Sequence, residues 1–470
     1  MIPLTVGEIA RLVSGQVHSV DAGVEVLDVV VDSRAVTPHS LYVAIAGERV
    51  DGHDYASAAV AAGSAVCLTS RVVTDSAGTV VPCIVVDDPV LALGRLARAV
   101  RRDRLGCKVV AITGSSGKTS TKDLLAQVLA VMGRTTSAVG SFNTEVGVPL
   151  TILSADADTE YLVVEMGMRG AGHIAYLVDI ARPDVGAIIN IGSAHVGMLG
   201  SREAIGDAKG ELVAGLTSQD TAVLNSDDPI VLALRDRTPA NVVTFGESGE
   251  ADVRATDVRL DDRARASFTL TDRRGDREDA RPVTLQFSGE HYVSNALAAS
   301  AAALSLGASM EQVVDALRAA TPQSRWRMEV SEAPGGITVI NDTYNANPES
   351  MRAALKTLVA MGAGRRTWAV LGEMRELGDD ALVEHDAIGR LAVRLDISRL
   401  VCVGPGTRVM HLAASGEGSW GDESAHVPDI DAAIEHLREH LRPGDVVLIK
   451  ASRSVGLERI AEALMSGVTP

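Results

Sequence analysis

The residues best equipped for chemistry form one run, Thr113-Gly114-Ser115-Ser116-Gly117-Lys118-Thr119-Ser120. Glycines let the backbone approach phosphate oxygens, and exposed N–H groups at a helix N-terminus favour an anion. Lys118 suits the outer phosphates of a nucleotide, and the Thr119 hydroxyl suits Mg²⁺. The common phosphate loop carries a further glycine five residues before its second; here that position is Ile112, which leaves the shorter Thr-Gly-x-x-Gly-Lys-Thr form. Other candidates are more isolated. Glu165 ends the apolar run Tyr161-Leu-Val-Val-Glu165, where a carboxylate is poorly explained by packing and well placed for Mg²⁺, although an ion-paired structural role stays open. His195, in Asn190-Ile-Gly-Ser-Ala-His195, is either a second metal ligand or a structural histidine. Lys209, in Ala-Lys-Gly-Glu, reads on its own as a solvated helix lysine.

The elements that must position these groups follow from periodicity. Lys108–Thr113 is a short apolar, β-branched run and reads as a buried parallel strand. Leu124, Leu125, Val128, Leu129 and Met132 recur at helical spacing after the glycines. Strand, glycine turn, Lys-Thr and helix together predict a nucleotide site. Residues 106–322 alternate strands and helices, which implies a mainly parallel sheet. Strands are expected at Val185–Ile189, Ala222–Asn225 and Val242–Phe245, with an antiparallel hairpin of Ser267–Thr271 and Val283–Phe287 at the edge. Asn295–Leu304 is a small-residue helix.

Residues 1–105 form a first, smaller α/β unit. Thr5-x-x-Glu8 reads as a capping box, and Val26–Val31 and Leu41–Ile45 read as strands. The polar clusters Asp32-Ser33-Arg34 and Gly47-Glu48-Arg49-Val50-Asp51-Gly52-His53 lie at strand ends, as ligand loops or as solvated turns. Arg98–Arg104 reads as a helix end and linker with a solvated charged face. Residues 323–470 alternate again, with strands at Ile337–Asn341, Trp368–Leu371, Leu400–Val403 and Val446–Ile449, and Asn347 capping a helix that Pro348 opens. The expected architecture is therefore α/β in three domains, 1–105, 106–322 and 323–470. The first is small, the second carries the phosphate loop on a mainly parallel sheet, and the third is an open, Rossmann-like α/β domain.

Bulk properties exclude some functions. The 470 residues are 46% hydrophobic, with no apolar run near the roughly 20 residues of a membrane span. The N-terminus lacks a secretion pattern, and four scattered cysteines fit reduced, buried thiols in a cytoplasm. A net charge of −17 argues against a nucleic-acid partner, and means that local cations must offset the field around a phosphate substrate.

The successive motifs carry a resemblance. Thr113–Thr119, Glu165-Met-Gly-Met, Ser193-Ala-His195, Ala208-Lys209-Gly-Glu, Leu224-Asn-Ser-Asp-Asp228, Gly289-Glu-His291-Tyr-Val-Ser-Asn295 and Asp342-Thr-Tyr-Asn345-Ala-Asn347-Pro occur in the order seen in the Mur ligase family. The chain resembles that family over about its whole length. The resemblance implies an ATP-dependent amide ligase of peptidoglycan precursor synthesis. Phe142-Asn143-Thr144, Ser324-Arg-Trp-Arg327-Met-Glu329 and Leu371-Gly-Glu-Met-Arg-Glu-Leu-Gly378 resemble the branch that adds D-Ala-D-Ala to UDP-N-acetylmuramoyl-tripeptide. No Asp-Asn-Pro-Arg motif of the branch acting one step earlier is present.

Carried over residue by residue, the resemblance gives roles. Gly114, Ser115, Ser116, Gly117, Lys118, Thr119 and Ser120 would hold ATP, with His291, Asn295, Arg327, Asp342, Asn345 and Asn347. Thr119, Glu165, His195 and Lys209 would hold two Mg²⁺, Lys209 as a carbamate formed with CO₂, and Lys118, Lys209, His195 and Glu165 would be catalytic. Ser33, Arg34, Asp51, Gly52, His53, Asn143 and Thr144 would face the UDP-linked substrate. Lys450, Ser452 and Arg453 would face the incoming dipeptide. The domains would then bind UDP-substrate, ATP and dipeptide in chain order, in a cytoplasmic monomer whose third domain closes on the second. Two anions must meet in such a reaction. Their repulsion at 4 Å is about 4 kcal/mol at an effective dielectric of 20, so cations are needed between them.

Overall fold

The computed structural model describes residues 1–47, 49–192, 196–275, 277–419 and 421–467, without the side chain of Met198. The described residues form four sheets, a two-stranded and a five-stranded one within 1–105, a nine-stranded one within 106–322 and a six-stranded one within 323–470. In the first segment, Thr5 caps the helix Val6–Val13 and Glu8 returns the bond, the expected capping box. The five-stranded sheet runs Gln16–His18, Cys83–Val85, Val66–Thr69, Ser40–Val43 and Asp28–Val30. The run expected as one strand over Val26–Val31 is split at Leu27. Glu25–Val26 pairs with Leu4–Thr5, whereas Asp28–Val30 joins the main sheet.

The central sheet has nine strands, in the order Asp279–Ser288, Arg265–Asp272, Val253–Leu260, Asn241–Gly246, Thr221–Asn225, Val185–Ile188, Lys108–Thr113, Tyr161–Glu165 and Thr135–Ser137. The expected hairpin is antiparallel at one edge. The phosphate-loop strand is central, with Tyr161–Glu165 parallel on one side and Val185–Ile188 on the other. Register places Glu165 opposite Ile112 and Ile188 opposite Thr113, so three carboxyl ends converge on the loop. The helix Lys118–Leu129 buries Leu124, Leu125, Val128 and Leu129 completely. Each such side chain stabilises by about 1.5–3 kcal/mol. The small-residue helix His291–Ser305 packs against it and is buried along most of its length.

The six-stranded sheet runs Glu329–Ala333, Ile337–Asn341, Val446–Lys450, Thr367–Leu371, Arg399–Val403 and Ser424–Val427, parallel except at its first edge. Asn347 caps Pro348–Met361 as expected.

The charged run before the phosphate-loop strand is a helix end whose Arg98, Arg102, Asp103 and Arg104 are exposed as expected, with Arg101 the exception. It ends the helix Pro89–Asp103, and Arg101 is only 13% exposed. Its guanidinium donates to the carbonyls of Ala181, Leu105 and Arg182 and to Asp184. One apolar core runs from Val6 and Ile9 through Leu93 and Leu96 to Ile174 and Leu177, so the first two domains share it. Among the described residues no helix is long and apolar enough to cross a membrane.

Candidate active site

The phosphate loop turns on Gly117, at φ +78°, immediately before the first helical residue Lys118. A Cβ there would lie 2.6 Å from the Asn295 side-chain oxygen, so only glycine fits both the dihedral and the approach. Asn190, just beyond the neighbouring strand, fixes the other side of the turn. Its Oδ1 accepts from the Ser115 and Ser116 amides at 3.0 Å, and its Nδ2 donates to the Ser116 carbonyl. The Lys118 ammonium donates to the Gly114 carbonyl at 2.7 Å. Burial pushes the Lys118 pKa down, Glu165 pulls it up and Arg327 pushes it down.

Glu165 is 2% exposed and collects three donors: Thr119 Oγ1 at 2.7 Å, Ser141 Oγ at 2.8 Å and Asn143 Nδ2 at 2.6 Å. A carboxylate beside a threonine hydroxyl under a phosphate loop is a donor set suited to Mg²⁺, which keeps waters and phosphate oxygens as its other ligands. Among the described residues no three His, Cys, Asp or Glu side chains cluster to hold a metal by themselves. His195 lies outside the described residues.

Lys209 corrects its reading as a solvated lysine. It sits on the helix Arg202–Ala214 at 1% exposure. Burial holds its pKa well below the ordinary value, and nearby Lys118 lowers it further.

Around the loop is a cavity of about 250 Å³ walled by the second and third domains. His291 and Asn295 enter it from the small-residue helix, each with a buried ring or amide nitrogen that has no partner. Burial pushes His291 down to about 4, with Asp342 opposing and Lys450 reinforcing, so the ring is neutral at pH 7. From the third domain come Arg327, Asp342, Tyr344, Asn345 and Asn347. The Arg327 guanidinium lies 4.0 Å above the Tyr344 ring, its Nε without a partner. Asn347 donates to the Ser115 carbonyl at 3.3 Å, which seats the third domain against the phosphate loop. Unpartnered polar atoms around a glycine turn are what a nucleotide would satisfy.

The structure separates other expected groups. Asn143 belongs to the cavity, through Glu165, and Thr144 Oγ1 accepts from the amides of Val146 and Gly147 as the next helix begins. In the first domain, His53 is 2% exposed with both ring nitrogens engaged, Nδ1 with Asp51 at 2.6 Å and Nε2 with the Ser70 amide at 2.9 Å. It therefore holds its own loop together. Asp51 also accepts from Arg71, and these bonds hold its carboxyl well below the usual range. A Cβ at Gly52 would meet the backbone of Ile45 at 2.7 Å. Ser33 is half-buried, and Arg34 is exposed and paired with Asp32 at 2.6 Å. Lys450 also lies in the nucleotide cavity, 2% exposed, donating to Asp342 at 2.6 Å and to the Asn345 carbonyl at 2.8 Å. Ser452 is buried and accepts from the Arg375 amide, and Arg453 stacks on Trp326 at 4.1 Å. Sequence reasoning missed Ser141 and Asn190 as site residues. Their signals were proximity to Phe142-Asn143 and a position just past an apolar strand.

Comparison with known proteins agrees with this geometry. Residues 26–101 match the model for "Mur ligase family, catalytic domain", 112–303 that for "Mur ligase middle domain", and 326–453 that for "Mur ligase, glutamate ligase domain". The UDP-N-acetylmuramoyl-tripeptide–D-alanyl-D-alanine ligase of Mycobacterium bovis is 47% identical, over 100% of this chain and 99% of that one. A crystal structure of MurF from Acinetobacter baumannii superposes with a TM-score of 0.86 at 32% identity, covering 99% of both chains. The MurF ligase of Thermotoga maritima in complex with ADP gives a TM-score of 0.78 at 28% identity, covering 94% of this chain and 97% of that one. With three family domains in register along its length and a relative nearly half identical from end to end, this chain belongs to the Mur ligase family.

Proposed function

We propose that the chain is an ATP-dependent ligase that joins D-alanyl-D-alanine to UDP-N-acetylmuramoyl-tripeptide, giving ADP and phosphate. The observation that carries this reading is the composite cavity, in which one phosphate loop, one Thr119–Glu165 donor pair and the third domain's Arg327, Asn345 and Asn347 face the same space. A peptide carboxylate is a poor electrophile. Transfer of the γ-phosphoryl group to it gives an acyl phosphate. The dipeptide amine then attacks the acyl carbon and phosphate leaves.

Each residue has a task in this scheme. The amides of Gly117 and Lys118, at the helix N-terminus, bind the phosphates, while Asn190 holds those of Ser115 and Ser116 and so fixes the turn. Lys118 and Arg327 supply fixed positive charge where negative charge gathers. Thr119 and Glu165 would hold Mg²⁺, with Ser141 and Asn143 fixing the carboxylate's orientation. A bound Mg²⁺ supplies charge neutralisation between the two reacting anions. Lys209 is suited to carbamate formation because burial favours its neutral amine, the form that adds CO₂. With His195 the carbamate would serve a second Mg²⁺. His291, Asn295, Asn345 and Asn347 offer hydrogen bonds to the nucleoside. Asp342 fixes Lys450, and the third domain seated on the loop excludes water that would hydrolyse an acyl phosphate.

The first domain would take the UDP moiety with Ser33 and Arg34, and Arg453 beside Ser452 would meet the dipeptide. We place the enzyme in the cytoplasm as a monomer. The test is phosphate release from ATP with UDP-muramyl-tripeptide while only the amine varies among D-Ala-D-Ala, D-Ala, diaminopimelate and L-Lys. Release with D-Ala-D-Ala alone, with the matching mass gain, is expected. Release only with a single amino acid would overturn the substrate assignment.

A further inference from the structure

One buried charge has no part in the scheme above. Lys122 lies one helical turn beyond Lys118 and is 0% exposed. Its ammonium donates to the carbonyls of Ala138 and of Gly140, the latter at 3.0 Å, and pairs with Asp123 at 2.8 Å. Those carbonyls belong to the loop whose next residues, Ser141 and Asn143, grip Glu165. Burying an ammonium is costly unless it is paired and fully bonded, so the loop is held where Lys122 can satisfy its charge.

Asp123 faces a second partner. Its other oxygen accepts from Ser324 Oγ at 2.5 Å, in the linker between the second and third domains. One turn further along, Gln127 exchanges two 3.0 Å bonds with the backbone of Thr321. The helix that starts at the phosphate loop thus clamps the loop behind Glu165 on one side and the interdomain linker on the other. The two clamps share the Lys122–Asp123 pair.

We propose that Lys122 is a positioning residue for Glu165, acting through the 138–141 loop, and that Asp123 couples this loop to the linker. The inference rests on the reading of Glu165 as a metal-holding group. Without the lysine the two carbonyls lose their donor, Ser141 and Asn143 lose their anchor, and the Glu165 carboxylate is free to rotate away from Thr119.

The experiment uses Mn²⁺ with ADP as the probe on the full chain. Electron paramagnetic resonance measures Mn²⁺ affinity of the enzyme–ADP complex, and hydrogen exchange follows the amides of 138–143. Lys122→Met leaves Asp123 buried without its cation and risks misfolding. The pair Lys122→Met/Asp123→Asn removes both charges and keeps the shape. In the double variant we expect Mn²⁺ affinity to fall about tenfold, exchange at 138–143 to speed up, and ADP affinity without metal to stay within about twofold. Ser324→Ala, in the linker, should weaken Mn²⁺ about two- to threefold. Wild-type Mn²⁺ affinity and exchange in a folded double variant would overturn the role of Lys122. An unchanged Ser324→Ala would overturn the coupling. Failure of the wild-type protein to bind Mn²⁺ with ADP would instead overturn the metal reading of Glu165.

Discussion

Replacing Gly117 by alanine tests the phosphate loop where its geometry is least forgiving. At φ +78° an L-residue costs about 1–2 kcal/mol. The new Cβ would also stand 2.6 Å from Asn295 Oδ1 and 3.4 Å from its Cγ, so the amide must swing away. Displacing a group that would hydrogen-bond the nucleotide adds about 1 kcal/mol. The loop has two ways to respond. If it keeps its shape, the strain appears as lost stability. If it relaxes to negative φ, the amides of Gly117 and Lys118 turn from the phosphates and the cost appears as lost affinity. The two losses together should reach about 2–3 kcal/mol, or roughly 30- to 150-fold if all of it falls on binding. Urea unfolding of the apo protein and calorimetric titration with a non-hydrolysable ATP analogue measure both. Gly117→Ala/Asn295→Ala separates the terms, because it removes the clash and leaves the dihedral cost. Near-wild-type stability and affinity in Gly117→Ala would refute the placement of the loop.

Three further outcomes are expected. If Lys209 holds a metal as the proposed carbamate, Lys209→Ala should lower turnover about a hundredfold, because charge stabilisation in the transition state is lost, and leave ATP-analogue binding nearly intact. Recovery with added acetate or formate would support the carbamate, and full activity without rescue would refute it. His291 should make stability fall in acid. Its folded value of about 4 lies below the ordinary 6.5, so the unfolded chain takes up a proton that the folded ring refuses. That contribution is complete above pH 6.5 and is lost between 6.5 and 4. Urea unfolding at pH 7 and pH 5 should show a smaller drop for His291→Gln than for wild type, and equal drops would contradict the assignment. Asp445, 3% exposed, accepts from Arg366 and from the Trp368 indole at 2.9 Å. Asp445→Ala should destabilise by about 3–5 kcal/mol in denaturant unfolding, because Arg366 and the indole lose their acceptor.

What the sequence discloses follows how far apart the cooperating atoms lie along the chain. The phosphate loop is legible because strand, turn, cation and hydroxyl are contiguous, and because each is chosen by local geometry. Glu165 is legible because an acid ending an apolar run has no packing rationale. Lys209 is not, since nothing in a helical Ala-Lys-Gly-Glu states that its face will be covered from all sides. The role proposed for it comes only through resemblance. His53 misleads for the opposite reason: a polar loop at a strand end suits a ligand, yet Ser70 arrives from 17 residues away to take its second nitrogen. Lys450 and Arg453 show the same limit within four residues. The strand ends at Lys450, whose side chain turns inward to Asp342, 108 residues earlier. Three residues on, after the strand has ended, Arg453 stacks outside on Trp326. The resemblance assigns both to one ligand, and only the parallel pairing of the Ile337–Asn341 and Val446–Lys450 strands brings the first to the nucleotide cavity. The Lys122 clamp is the extreme case. Its partners at 138–140 and 324 come from two directions and leave no spacing to read, so a lysine two residues past the Thr-Ser of the phosphate loop looks like any other helix lysine until the fold closes over it.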